Sequence, residues 1–382
     1  MLKLCPTAAL LTALLLSCSA TAGVEEDRLP KAQQAMPEVV SRYSAIVDDL
    51  GTKYQRQTNE LQVTQMVAHE GQRLWQQAVR DVSSGHYDDR SLYWSRLQMR
   101  TLLQQQRPAF NIAGWQKEIL TKAVEKASRG FSDINYADDA QIRILLTGFD
   151  PFFLDRHIEQ SNPSGMAALA LDGYRFRVNG KQVQIETVMI PVRFADFDAG
   201  IIESLLTPVY RDNQVNMVIT VSMGRSDFDI ERFPGRNRSA KAPDNRNVMT
   251  GADKEHPLPP KLDGKTLNGP DFVEFSLPVA AIQAVNGPWK IHDNRTVTTL
   301  KRGTFAASSL SELQHSTAVE GSGGGYLSNE ISYRAILLQQ QLGSRIATGH
   351  IHTPRVAGYD AQSEQQMVDQ LKAMLTAAAA TL

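Results

Sequence analysis

Three segments of this chain carry the residues best suited to chemistry. The first is Thr147-Gly148-Phe149-Asp150-Pro151-Phe152, followed by Asn162-Pro163-Ser164. Its phenylalanines, taken alone, are more often core than site. The second is Gly224-Arg225-Ser226-Asp227-Phe228-Asp229-Ile230-Glu231-Arg232, which leads to Ala242-Pro243-Asp244-Asn245. Such a charge run by itself is an ordinary solvated loop. The third pairs Gly323-Gly324-Gly325-Tyr326-Leu327-Ser328-Asn329 with Thr348-Gly349-His350-Ile351-His352-Thr353-Pro354. A serine opening a helix is usually a cap. Strand alternation puts His350 and His352 on one side, a spacing that can hold a metal, but no third ligand is identifiable and none is expected. Other motifs fail on inspection. Gly264-Lys265-Thr266 lacks the opening glycine of a phosphate loop because Pro259 stands there, and His69-Glu70 lacks the second histidine of a zinc-peptidase helix. No Gly-x-Ser-x-Gly elbow occurs.

The elements that must position these segments change character along the chain. Residues 23–138 are rich in Gln, Arg, Leu and Ala, with apolar residues at helical spacing such as Met36, Val39, Val40, Tyr43 and Val47. Three or four helices are expected there, broken near Gly51, Ser83-Ser84-Gly85 and Pro108, with Trp75, Trp94 and Trp115 placed to pack them. From residue 139 the pattern alternates. Strands are expected at 142–147, 183–192, 215–221 and 345–348, and helices at 165–171, 195–206 and 329–341. The expected fold is α/β, a three-layer, mostly parallel or mixed sheet with helices on both faces, preceded by the all-α region. Ligand sites in such sheets lie at the carboxyl ends of the strands, where the three segments fall. Residues 251–270 read as a long surface loop.

Their order and combination over residues 141–354 resemble the pyroglutamyl peptidases, cysteine peptidases that remove an N-terminal pyroglutamyl residue. Phe149 and Phe152 match the phenylalanines of that family's Thr-Gly-Phe-Glu-Pro-Phe loop, with Asp150 replacing the glutamate; Asn162 to Ser164 match its Asn-Pro-Ser. Glu231 takes the place of the triad glutamate, Asp244 and Asn245 match Pro-Asp-Asn, and His352 matches the catalytic histidine. The resemblance therefore implies a peptidase or amide hydrolase in which His352 is base and acid and Glu231 orients it. Phe149, Phe152 and Asn162 would hold the lactam ring.

Departures from the family matter more than the matches. Ser328 stands where the family has its nucleophilic cysteine, and Lys241 stands where it has the arginine that polarises the scissile carbonyl. Lysine keeps the charge and loses the planar fork. The family's Ala-x-Asn is replaced by Pro234-Gly235-Arg236, and the stretch 287–321 is longer than usual. A serine does not ionise near neutrality, so His352 would have to take its proton during attack. Serine peptidases do this with the same three roles. The alternative is an inactive relative that binds blocked peptide ends or small lactams.

Composition limits the partners. The 382 residues are 42% hydrophobic and 21% charged, with formal net charge -1, so no basic excess suggests nucleic acid. A peptide or small-molecule substrate is expected, without cofactor. Residues 1–22 read as a secretory leader, with Lys3, an apolar run over 8–16 and Ala20-Thr21-Ala22 before Gly23. That run is too short for a ~30 Å bilayer core, and no later segment has the ~20 apolar residues of a span. The protein is therefore expected to be exported, periplasmic or secreted. The only cysteines, Cys5 and Cys18, both lie in the leader, and Leu15-Leu16-Ser17-Cys18 offers a lipid anchor at Cys18 as the lesser alternative.

Overall fold

The computed structural model describes residues 23–382. Residues 1–22, with Cys5 and Cys18, where a secretory leader is expected, lie outside them. Among the described residues six α-helices precede the first strand: α1 (Leu29–Ala35), α2 (Pro37–Ser41), α3 (Ser44–Gln55), α4 (Glu60–Ser83), α5 (Arg90–Gln105) and α6 (Gly114–Ala127). The count exceeds the three or four expected because Pro30 and Pro37 open separate short helices at their first turns. In α4, Asn59 caps the helix by accepting from the Leu61 and Gln62 amides, and Val63, Val67, Leu74, Ala78 and Val82 bury one face. Gly85, at φ 100°, turns the chain just past its end. Gly51 does not break a helix. It lies inside α3, where a Cβ would come within 3.0 Å of Leu102, so its smallness lets α3 approach α5. Trp75 and Trp94 are buried as expected, whereas Trp115 is 63% exposed.

The remainder is built on β1 (Ile142–Phe149), α7 (Pro163–Leu171), β2 (Tyr174–Val178), β3 (Lys181–Ile190), α8 (Phe194–Asp198), α9 (Ile201–Arg211), β4 (Met217–Met223) and β5 (Phe228–Glu231). There follow β6 (Lys261–Leu262), β7 (Lys265–Thr266), α10 (Val279–Gln283), β8 (Ile291–Asn294), β9 (Thr296–Thr299), β10 (Gly303–Ala306), β11 (Ala318–Glu320), α11 (Leu327–Gln341), β12 (Ala347–Thr353) and α12 (Ala361–Ala379). The main sheet has the order β2-β3-β1-β4-β12-β5-β8. Its centre, β3-β1-β4-β12, is parallel; β2 and β5 run antiparallel to their inner neighbours. The fold is thus the expected α/β one. Strand β12 runs on past the predicted 345–348 to include both histidines. The loop expected at 251–270 contains the small β6-β7 hairpin.

Alternation along β1 explains the layers. Ile144 and Leu146 join an apolar cluster with Ile185, Met374 and the helical residues Tyr54, Leu74 and Trp75, while Leu145 joins one with Val188, Leu206 and Ile331. Helices therefore cover both faces, and the N-terminal helices share a core with the sheet. Across that junction the Trp75 indole N–H donates to Asp172 at 3.0 Å. Among the described residues no helix is long and apolar enough to cross a membrane.

Candidate active site

Strand β12 delivers His352 between β4 and β5, opposite Ser222 on one side and Asp229 on the other. At the end of β5, Glu231 is fully buried, and its Oε1 lies 2.6 Å from His352 Nδ1. Its Oε2 accepts a 2.9 Å hydrogen bond from Asn294 Nδ2, which also donates to the Ser322 carbonyl at 2.9 Å. Burial pushes the Glu231 carboxyl up, and the charge and hydrogen bond of His352 oppose that shift. A carboxylate facing Nδ1 keeps a proton there and leaves Nε2 as the basic nitrogen. Gly224 passes so close that a Cβ would sit 2.6 Å from His352 Cβ, so only glycine fits over the ring. A Cβ at Gly323 would lie 3.5 Å from His352 Cε1, which places the glycine turn before Ser328 against the imidazole.

Ser328 is the second residue of α11 and is partly exposed. Its hydroxyl donates to the Gly323 carbonyl at 3.2 Å, and among the described residues no hydrogen bond joins it to His352. It lines an apolar pocket of ≈ 40 Å³ with Phe149, Phe152, Asn162, Ser222 and Tyr326. Phe149 serves both core and pocket, 3% exposed and stacked on Phe197 with ring centroids 6.3 Å apart. Phe152 rests on Phe153 at 4.6 Å.

Asn162 also lines the pocket, but most of its hydrogen-bonding capacity is used in building the wall. As the N-cap of α7 its Oδ1 accepts from the Ser164 amide and hydroxyl, and its Nδ2 donates to the Asp150 carbonyl at 2.9 Å. One amide hydrogen remains. Lys241 is a correction: it is 69% exposed, paired with Asp253 at 3.2 Å, and absent from the pocket wall. The preceding Ser239 and Ala240 amides are tied to the Gly325 carbonyl and Arg238 is held by Glu330 and Asp198, so the chain turns Lys241 outward. Asp244 and Asn245 act as clamps, accepting from the Phe194 amide and donating to the Pro151 carbonyl, each at 2.9 Å.

Several supporting residues escaped sequence reasoning. Buried Asp150, between the two pocket phenylalanines, is held by Arg96 of α5 at 2.9 Å and by Arg129 at 2.6 Å. Burial and the neighbouring Arg129 pull Arg96 down to about 10. Asp89, just before α5, accepts from the Asn162 amide at 3.1 Å. The helical region thus buttresses both pocket segments. A charged residue amid the apolar positions of α5, as Arg96 is between Trp94 and Leu97, was the available signal. His350 is fully buried with both ring nitrogens on hydroxyls, Thr220 Oγ1 at 2.8 Å and Ser222 Oγ at 2.7 Å.

Comparison with known proteins finds relatives of both parts of the chain. A family described as the PA0049 C-terminal domain matches residues 143–310 and 292–357, and the PA0049 N-terminal domain matches 9–125. An uncharacterised Pseudomonas aeruginosa protein, PA0049, is 30% identical over 396 aligned residues, covering 79% of this chain and 71% of that one. A pyrrolidone-carboxylate peptidase from Pseudomonas fluorescens is 30% identical over 245 residues, 62% of this chain and 91% of its own. Two mutant structures of pyrrolidone carboxyl peptidase from Pyrococcus furiosus each align with 63% of this chain and 100% of theirs, at 20% and 21% identity and TM-scores of 0.43 and 0.44. The α/β part is therefore a divergent pyroglutamyl-peptidase-like hydrolase domain. The chain as a whole belongs to the PA0049 family.

Proposed function

We propose that this protein is an exported amide hydrolase that removes an N-terminal pyroglutamyl or similar acyl group, with Ser328 as nucleophile, His352 as general base and acid, and Glu231 orienting His352. The observation that carries the reading is the buried 2.6 Å contact of Glu231 with His352 Nδ1, which leaves Nε2 free of hydrogen bonds among the described residues. In the reaction, Ser328 turns from the Gly323 carbonyl toward His352, and Nε2 takes its proton as Oγ bonds to the scissile carbonyl carbon. The C–N bond breaks, the amine leaves with that proton, and water releases the acyl group by the reverse sequence. Phe149, Phe152 and Tyr326 supply the apolar walls for the ring.

Two observations favour the alternative, a relative that binds blocked peptide ends or lactams without turnover. Ser328 is engaged with Gly323, and Lys241 is turned away from the pocket. The fully supported Glu231-His352 pair favours catalysis, since binding alone gives no use to a buried carboxylate-imidazole pair with both carboxylate oxygens engaged. Release of a fluorescent amine from a pyroglutamyl amide by purified protein separates the two. Turnover supports the hydrolase, while saturable lactam binding without turnover supports the binder. Export rests on the leader read at residues 1–22, and fractionation of cells expressing the full chain tests it.

A further inference from the structure

Among the polar side chains of the pocket that the proposed triad does not use, Ser222 has a hydroxyl whose orientation its neighbours define. Ser222 sits on β4, 4% exposed, on the wall shared by Phe149, Phe152 and Ser328. Its hydroxyl is 2.7 Å from His350 Nε2, and His350 Nδ1 is 2.8 Å from Thr220 Oγ1. Thr220 Oγ1 also reaches the Gly349 carbonyl at 3.3 Å.

The direction of this chain follows from counting protons. A threonine hydroxyl has one proton, and a carbonyl can only accept, so Thr220 donates to Gly349 and must accept from His350 Nδ1–H. Neutral His350 then has its lone pair on Nε2, and Ser222 donates there. Every proton has an acceptor in that arrangement. In the opposite tautomer Thr220 would give up Gly349 to donate to Nδ1, and Nε2–H would donate to Ser222. The Ser222 proton would then have no acceptor among the described residues and Thr220 would lose the Gly349 carbonyl, so the first arrangement makes more hydrogen bonds and is favoured. Complete burial and the adjacent His352, whose ring is 4.8 Å away, both hold His350 far below its ordinary pKa and keep it neutral.

We infer that Ser222 is the specificity-determining acceptor of the pocket: oriented by His350 and Thr220, its oxygen selects ligands that present a hydrogen-bond donor from the ring, as a lactam N–H does. The inference rests on the proposed lactam-pocket function and names the ring atom that the pocket reads. A site whose polar group must be matched discriminates against an isostere that lacks the donor.

The probes are 2-pyrrolidone and cyclopentanone, which differ by N–H against CH₂, titrated into the whole protein by ligand-observed NMR. The expected result is about tenfold tighter binding of 2-pyrrolidone, reduced to less than about twofold in Ser222→Ala, with cyclopentanone affinity unchanged. Equal binding of the two in the unmodified protein, or the same preference retained in the variant, overturns the role of Ser222 and leaves the lactam pocket standing. Failure of both probes to bind removes the lactam pocket and this inference together. Independently of any variant, the ¹⁵N shifts of His350 should show a protonated Nδ1 and an accepting Nε2; a protonated Nε2 overturns the inference.

Discussion

Replacing Asp150 by asparagine should destabilise the protein by about 3–5 kcal/mol, the usual cost of removing one partner from a buried ion pair. The estimate follows from what each arginine keeps. Asp150 is fully buried and bonds Arg96 through Oδ1 and Arg129 through Oδ2. Arg129 retains Glu125, at 2.9 Å from its Nε. Arg96 retains the Ser128 hydroxyl and carbonyl, at 2.9 and 3.0 Å, and a 4.0 Å contact with the Met189 sulfur, so a fully buried guanidinium would lose its direct ion pair. Asparagine preserves the shape, so cavity formation adds little. Urea unfolding of Asp150→Asn beside the parent measures the loss, and fluorescence from the pocket-proximal phenylalanine and tyrosine cluster reports whether the loop moves first. A loss below about 1 kcal/mol would refute the argument that this ion triad holds the pocket loop to the helical region.

Other consequences are as direct. Asn294→Ala leaves Glu231 Oε2 and the Ser322 carbonyl without their donor, and should lower stability by about 1.5–3 kcal/mol, measured by chemical denaturation; in an active enzyme it should lower kcat more than it raises KM. Asp89 and Glu364 are buried near one another with a free oxygen each, Asp89 raised mainly by burial and the Glu364 charge, Glu364 mainly by burial, partly offset by its Ser161 hydrogen bond. Asp88 and Asp360 add to the upward shift of Glu364, and Arg90 opposes it. Carboxyls raised in the folded state bind protons that the unfolded chain has released, so stability should fall as pH rises above the ordinary carboxylate range, by up to ~1.4 kcal/mol per pH unit for each such proton. Glu364→Gln should flatten that slope in melts taken from pH 5 to 9, and an unchanged slope would contradict the assignment.

What could be read in the sequence depended on how local the signal was. Strand β1 announces itself because a central parallel strand must be apolar on both faces, and 142–149 is nearly uniformly so. His352 and Glu231 were legible because strand ends place them, and the structure brings them within hydrogen-bonding distance. Lys241 misled because its position in the motif was matched, whereas its direction is set by Arg238, held by Glu330, and by the Ser239 and Ala240 amides, held by the distant Gly325 carbonyl. Asn294 lies in the stretch 287–321 that stood out only for its length, and its partner Glu231 is 63 residues away. Of the arginines that hold Asp150, Arg96 comes from a helix whose pattern otherwise reads as plain packing, and Arg129 lies just past the end of α6. Such long-range charge pairing leaves no spacing to recognise.

The central claim is that Ser328 and His352 act as a nucleophile and its base, and one comparison tests it most directly: amine release from a pyroglutamyl amide by the purified protein and by Ser328→Ala. The account predicts turnover in the first and its loss in the second, with lactam binding retained in both. Equal turnover in the variant would contradict it, and so would lactam binding without turnover in the parent protein.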